Sequence, residues 1–520
     1  MFSGFDSQAP LLPEILALHG KWHAEREAVI CGDTRLTWAK FSQGNHQLAH
    51  GLIGQGIQPG DRIGIVMSNG IPMLQTMMAV MAAGAVAVPI NLSVPDEAIV
   101  SMMKDAGVIA LIATKDQQIR IDHLRPEMPT SLTLFISETE IDHRWYSLTE
   151  LMAKQPATLP TIEIAADSPL NIIYSSGTTG LPKGIVHSHR GRRDWAYDLC
   201  IALRYHGCAK TLLTIGLYSN ISWVAMLCTL LSGGTLFIHK GFNTNAFLDT
   251  VEREKISHTA MVPIQFQRII EQQKITATDL SSMQAMMSCG SPLHADLKQA
   301  IFETFGCGIV ELYGLTEGII TTLDPEYAEG RWASVGKPLL GTDIAIIGED
   351  DKPLDQGQAG EIVSRGRITM SGYLNRETAN EEACYYDSQG KQWLRSGDIG
   401  YLDPQGYLFI VDRKKDMIIS GGQNIFPQDI EAILVQHPAI NDVAVIGAKS
   451  DRWGETPIAL IVPETDSQET ESSLLAWANQ RLGKQQRLAE TFFTEMLPRN
   501  PNGKILKREL RLQYGEKNYG

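Results

Sequence analysis

The chain is predicted to be an α/β protein in which a large N-terminal portion of mixed βα sheets precedes a smaller α+β portion, and three observations carry that prediction. Helical apolar patterns alternate with short β-branched runs through most of the sequence, the rhythm of a mostly parallel sheet. From about residue 330 the texture changes to short strands punctuated by Gly and Asp pairs. The stretch 427–464 then alternates helix and strand again. At 520 residues the chain exceeds what one compact core usually holds, so at least two domains are expected.

Taken in order, SQGNHQLAHGLIGQGI (42–57) reads as helix, DRIGIVMS (61–68) as strand, GIPMLQTMMAVMAAG (70–84) as helix and AVAVPI (85–90) as strand. Methionine-rich pieces such as SSMQAMM (281–287) are expected to fill core volume. Runs 343–366 and 406–422 read as short strands and turns. The boundary is placed at 412–415, giving domains 1–411 and 416–520. No internal repeat or low-complexity tract is visible in the sequence.

Composition narrows the function classes. The net charge of -14 argues against a protein that holds nucleic acid or anionic lipid over a broad surface. Seven cysteines without a CxxC or paired Cys/His spacing indicate neither a disulfide framework nor a zinc site, and fit the reducing cytoplasm. The N-terminus does not read as a secretion signal, and the longest apolar run, 77–90, is too short to span a bilayer. A soluble protein is expected.

IIYSSGTTGLPKGIVHSH (172–189) places hydroxyls, glycines and one lysine directly after an apolar run. Backbone N–H groups of such a loop form a concave anion site, and a lysine adds a compact positive charge. Ser175, Ser176, Gly177, Thr178, Thr179, Gly180, Lys183 and Gly184 supply these parts. The NTPase P-loop pattern fails, because Lys183 follows Pro182 and precedes Gly184.

YSSGTTGLPKG closely resembles the signature of the adenylate-forming superfamily, which comprises acyl-CoA and aryl-CoA synthetases, luciferases and peptide-synthetase adenylation domains. SCGSPL (288–293), LYGLTEG (312–318), RSGDIG (395–400), DRKKDMIISGGQNIFPQDIE (412–431) and PRNPNGKILKREL (498–510) follow in the family's order, so the resemblance covers nearly the whole chain. It implies an AMP-forming acyl-CoA synthetase that uses ATP, Mg²⁺ and coenzyme A, with a mobile C-terminal domain. A ligase that loads a separate carrier protein is the alternative; the absence of an appended carrier domain and of an insertion between Gly341 and Gly366 favours coenzyme A. A homodimer stays open.

The resemblance also implies roles. Tyr313 would stack on adenine, Thr316 would hydrogen-bond the α-phosphate, and Glu317 would bind Mg²⁺, a hard cation suited to carboxylate and phosphate oxygens. Gly290, Ser291 and Pro292 are similar to the adenine-facing backbone of relatives, and Cys289 beside them reads as packing. Asp398 would accept the ribose hydroxyls, with Arg413 reaching ribose or phosphate. Lys504 aligns with the adenylation lysine, Lys415 with the hinge, and Gly421 and Gly422 with the walls of a pantetheine tunnel. His187 and His189 form an HxH, but no third ligand lies nearby in sequence and packing is expected.

For the acid, amino-acid-activating relatives carry an aspartate after the aromatic residue that is Tyr218 here; this chain has Ser219, and no acid follows through Trp223. Tyr218, Trp223, Leu312, Gly318 and Ile319 are expected to line an apolar acyl pocket, which suggests a fatty, alicyclic or aryl acid.

Overall fold

The computed structural model describes residues 9–138, 145–174, 182–421, 423–465, 467–484, 486–499 and 504–519. Two large sheets dominate it. One has eight strands, from Gly372–Tyr373 at one edge through Gly184–Ser188, Pro169–Tyr174, Val86–Pro89, Arg62–Val66, Ala110–Ala113 and Leu134–Ser137 to Tyr146–Ser147. The other has nine and runs parallel from Val310–Gly314 to Glu27–Cys31, with antiparallel strands added at both ends.

The expected helices and strands near the N-terminus form at Trp38–Gly54, Arg62–Val66, Ile71–Ala82 and Val86–Pro89. Val86–Pro89 and Ala110–Ala113 are buried at every position, which is why their sequences show continuous apolar runs rather than alternation. Helices Trp38–Gly54, Ile71–Ala82, His189–Ala202 and Asn220–Ser232 contribute to a core that also takes residues from both sheets, and Met73, Met77, Met78 and Met81 fill it. Helix starts follow local chemistry: the Ser188 hydroxyl accepts from Gly191 N at 3.0 Å, and Ser219 caps the next helix in the same way.

A five-stranded antiparallel sheet follows, built on Thr342–Ile347, Gly360–Gly366, Gln392–Leu402, Cys384–Tyr386 and Leu408–Arg413. The chain then leaves it: Ile418–Ser420 belongs to a fourth sheet, with Gln423–Ile425, Gly454–Pro463, Ile440–Ser450 and Glu490–Phe493. This last sheet has its own apolar clusters, one of them around Ile430, Val445, Ile461 and Leu474. Among the described residues no helix is long and apolar enough to cross a membrane, and all seven cysteines are free thiols.

Candidate active site

The site begins at the end of Val310–Gly314. This strand turns tightly into Ile320–Leu323, with Leu315 N donating to Ile319 O at 2.9 Å, so Thr316 and Glu317 occupy the tip of a hairpin. Gly318 closes it at φ +116°, and an added Cβ would lie 2.5 Å from Ile368 O. Only glycine fits there, because both the backbone angle and the neighbouring chain exclude a side chain. Both carbonyls at the tip are held: Thr316 O lies 2.8 Å from His187 Nε2, and Glu317 O accepts from Met370 N at 2.8 Å. The Glu317 carboxylate accepts from the Tyr373 hydroxyl at 2.9 Å. The Tyr373 ring in turn lies 4.9 Å from Lys183 Nζ.

A second cluster forms where Asp398 and Arg413 face each other as register partners on neighbouring strands. Asp398 is 3% exposed, accepts from the Tyr313 hydroxyl at 2.7 Å and lies 3.3 Å from Arg413 Nε. Each carboxylate oxygen has two acceptor positions, so both retain capacity for a further donor. Burial, and then the Asp398 charge, push the Tyr313 phenol well above its ordinary range, so it remains a donor.

Lys504, from the C-terminal portion, lies within electrostatic range of Asp398 and Arg413. Burial first, then the charges of Arg413 and Lys415, lower its ammonium to about 7 against the opposing pull of Asp398 and Asp416. Lys415 is lowered to about 8, again chiefly by burial and then by Arg413.

Gly290, Ser291 and Pro292 follow strand Ala285–Ser288, which pairs with the strand carrying Tyr313. They therefore lie past the carboxyl end of a parallel strand, where open α/β sheets place ligands. Cys289 is buried and its thiol is pushed up to about 12, in keeping with a packing role.

The acyl-side residues divide. Tyr218 is half-buried, with its hydroxyl 3.4 Å from Ser93 Oγ. Leu312 is nearly buried. Trp223 and Ile319 are fully buried: the Trp223 indole donates to Leu217 O, and Ile319 packs in the core of the five-stranded sheet. Gly421 sits at φ +57° with Trp453 against it, and its N–H donates to Trp453 O. Ser175, Ser176, Gly177, Thr178, Thr179, Gly180 and Gly422 lie outside the described residues.

The AMP-binding enzyme family matches residues 18–374, and the AMP-binding enzyme C-terminal domain matches 429–504. The chain belongs to the AMP-binding enzyme family. Within this adenylate-forming superfamily it falls among the acyl-CoA synthetases, AMP-forming acid–thiol ligases that use ATP and coenzyme A. It is 33% identical over 508 residues to a feruloyl-CoA synthase of Amycolatopsis sp, covering 95% of this chain and 99% of the relative. It is 31% identical over 490 residues to the long-chain-fatty-acid–CoA ligase FadD13 of Mycobacterium tuberculosis, covering 93% of this chain and 94% of the relative. Among solved structures, the o-succinylbenzoate CoA synthetase of Bacillus subtilis in complex with its acyl-adenylate matches at TM-score 0.83 and 27% identity, covering 97% of this chain and 99% of that one.

Sequence reasoning missed three side chains of this AMP-binding enzyme: Tyr373 on Glu317, Trp453 on Gly421, and Arg192, which contacts His187. Tyr373 is 56 residues from Glu317, and no local spacing signals such a pair. The HxH separates in space into two different environments. His187 is bonded to Thr316, whereas His189 is buried with both ring nitrogens unpartnered and is lowered to about 4 by burial. Among the described residues no group of three His, Cys, Asp or Glu side chains could hold a metal ion.

Proposed function

We propose that this enzyme activates a hydrophobic carboxylic acid, fatty, alicyclic or aryl, as its acyl adenylate and passes the acyl group to the thiol of coenzyme A. In the first half-reaction a carboxylate oxygen bonds to the α-phosphorus of ATP and the bond to pyrophosphate breaks. In the second, the thiol attacks the acyl carbonyl and AMP leaves. The reading is carried by the Tyr313, Asp398 and Arg413 cluster, whose two charged members both act electrostatically on Lys504, since a cation there offsets the negative charge gathered as one anion attacks another.

Asp398 would accept from the ribose diol and Arg413 would donate to ribose or phosphate. Thr316 would donate to the α-phosphate. Glu317 supplies one carboxylate, which suits Mg²⁺: this ion keeps several waters and takes its remaining oxygens from the substrate phosphates rather than from an all-protein cage. When bound, the ion neutralises phosphate charge as pyrophosphate leaves. The absence of an acid from Ser219 to Trp223 and the apolar helix Asn220–Ser232 support a hydrophobic acid without an α-ammonium group.

Lys415 stands where the chain passes between sheets and would act as the hinge, withdrawing Lys504 and bringing Gly421 and Gly422 to the site for thiolation. The test is pyrophosphate release with ATP and Mg²⁺ over a panel of aliphatic, alicyclic, aryl and amino acids, each with and without coenzyme A. Release strongest for one apolar class, with AMP and a thioester as products, is expected. Release only with amino acids would overturn the substrate class, and an adenylate that coenzyme A does not consume would overturn the acceptor. In the Lys415→Pro variant, adenylate formation should persist while thioester formation stops.

A further inference from the structure

Arg192 is the unusual group in the large N-terminal portion. It lies on helix His189–Ala202, is fully buried, and among the described residues no carboxylate forms an ion pair with it. Its Nε donates to Asn171 Oδ1 at 2.9 Å, while Nη2 donates to Asn220 Oδ1 at 2.9 Å and lies 3.2 Å from His187 Nδ1. Trp195 and Trp223 add aromatic faces at 4.7 and 5.1 Å. Burial lowers the guanidinium to about 9, so it is still charged near neutrality. A buried charge held only by neutral groups is costly, and an apolar side chain would fill a helix position facing this core without that cost.

The hydrogen-bond chemistry gives the charge a use. Arginine is a donor only, so His187 Nδ1 must be the acceptor of their contact. A neutral imidazole that accepts at Nδ1 carries its proton on Nε2, and Nε2 faces the Thr316 carbonyl at 2.8 Å. Burial and the Arg192 charge hold His187 well below its ordinary value, which keeps the ring neutral. The chain of donors therefore has one direction, from Arg192 through His187 to the hairpin tip.

We infer that Arg192 is a positioning residue: it fixes His187 in the Nε2–H tautomer, and His187 in turn sets the Thr316 peptide for the α-phosphate. The same guanidinium binds Asn220, the first residue of the helix read as bordering the acyl pocket, so one side chain ties the phosphate hairpin to the acyl helix. The inference rests on the reading of Thr316 as the α-phosphate contact.

The test combines spectroscopy with kinetics. In the wild-type enzyme labelled with ¹⁵N-histidine, His187, assigned by its loss in His187→Leu, should show a protonated Nε2 and a bare Nδ1; a protonated Nδ1 overturns the inference whatever the role of Thr316. In ATP–pyrophosphate exchange, Arg192→Met and His187→Leu should each lower kcat about tenfold with little change in the KM for ATP, the worth of one lost buried hydrogen bond. His187→Gln, which restores a donor near the Nε2 position, should recover most of that loss. In a Thr316→Ala background, Arg192→Met should lower kcat no further. Full kcat in folded Arg192→Met, or an additive loss in the double variant, would overturn the inference. If Thr316→Ala alone left exchange intact, the α-phosphate role would fail instead, and the tautomer result would still report on the contact itself.

Discussion

Arg192 and Lys504 are both cations withdrawn from water, and the protein treats them differently. Arg192 is enclosed within the large N-terminal portion by two asparagines, a neutral histidine and two tryptophan faces, all on elements packed in or beside one continuous core. Lys504 enters from the C-terminal portion into a neighbourhood that holds Arg413 and Lys415 as well as Asp398 and Asp416, and there its proton is held less tightly than usual. The first environment stabilises a fixed charge with oriented dipoles. On the proposed role, the second leaves a charge that would become fully favourable only when the anions of the reaction arrive, as expected of a group that acts more strongly on the transition state than on the resting enzyme.

The contrast is tested most severely by Lys504→Ala. Removing one preorganised electrostatic contact should slow adenylation by about 10²- to 10³-fold, whereas the Arg192 variants described above lose about tenfold. Single-turnover formation of the acyl adenylate measures both; equal losses would erase the distinction between a group that touches the reacting atoms and one that acts through another residue.

The next largest effect is on pH dependence. A lysine lowered to about 7 is protonated below that value and neutral above it, so kcat/KM for ATP should fall as pH rises through about 7. Lys504→Arg, if active, should hold a level profile through that range. The matching stability effect has the opposite sign. Above about pH 7 the unfolded chain binds the Lys504 proton more readily than the folded one, so this group's contribution to stability rises with pH up to the ordinary lysine value. Denaturant unfolding of wild type and Lys504→Met across this window checks the sign.

The smallest effect concerns Tyr373, whose ring lies by Lys183 and whose hydroxyl donates to Glu317. Tyr373→Phe keeps the ring under Lys183 and removes only the hydroxyl on Glu317. A several-fold rise in the Mg²⁺ concentration needed for half-maximal exchange is expected, the size of about 1 kcal/mol for one net hydrogen bond. An unchanged Mg²⁺ requirement would show that the hydroxyl does not orient Glu317.

Much of the architecture was legible because it is encoded locally. Apolar period and β-branched runs marked the helix–strand rhythm between residues 42 and 90, and the observed elements there differ from the reading mainly at their ends. The hairpin tip was legible through LYGLTEG, in which Gly318 meets a backbone requirement that no other residue satisfies. The acyl side was less legible. Trp223 lies on the apolar helix that follows Tyr218, and because that helix is buried almost all round, its periodicity does not tell which face meets a ligand.

By itself the sequence determined the α/β class, the ordered motifs and the residue types gathered for phosphate, ribose and carboxylate chemistry, since each depends on short spacings and on intrinsic properties of side chains. Only the tertiary structure decided the partnerships: Tyr373 with Glu317, Trp453 with Gly421, and Arg192 with a histidine whose other nitrogen faces a carbonyl 129 residues away. Such contacts arise where sheets and helices from distant stretches pack together, and a hydrogen bond between them depends on a few tenths of an ångström that no spacing in the chain records.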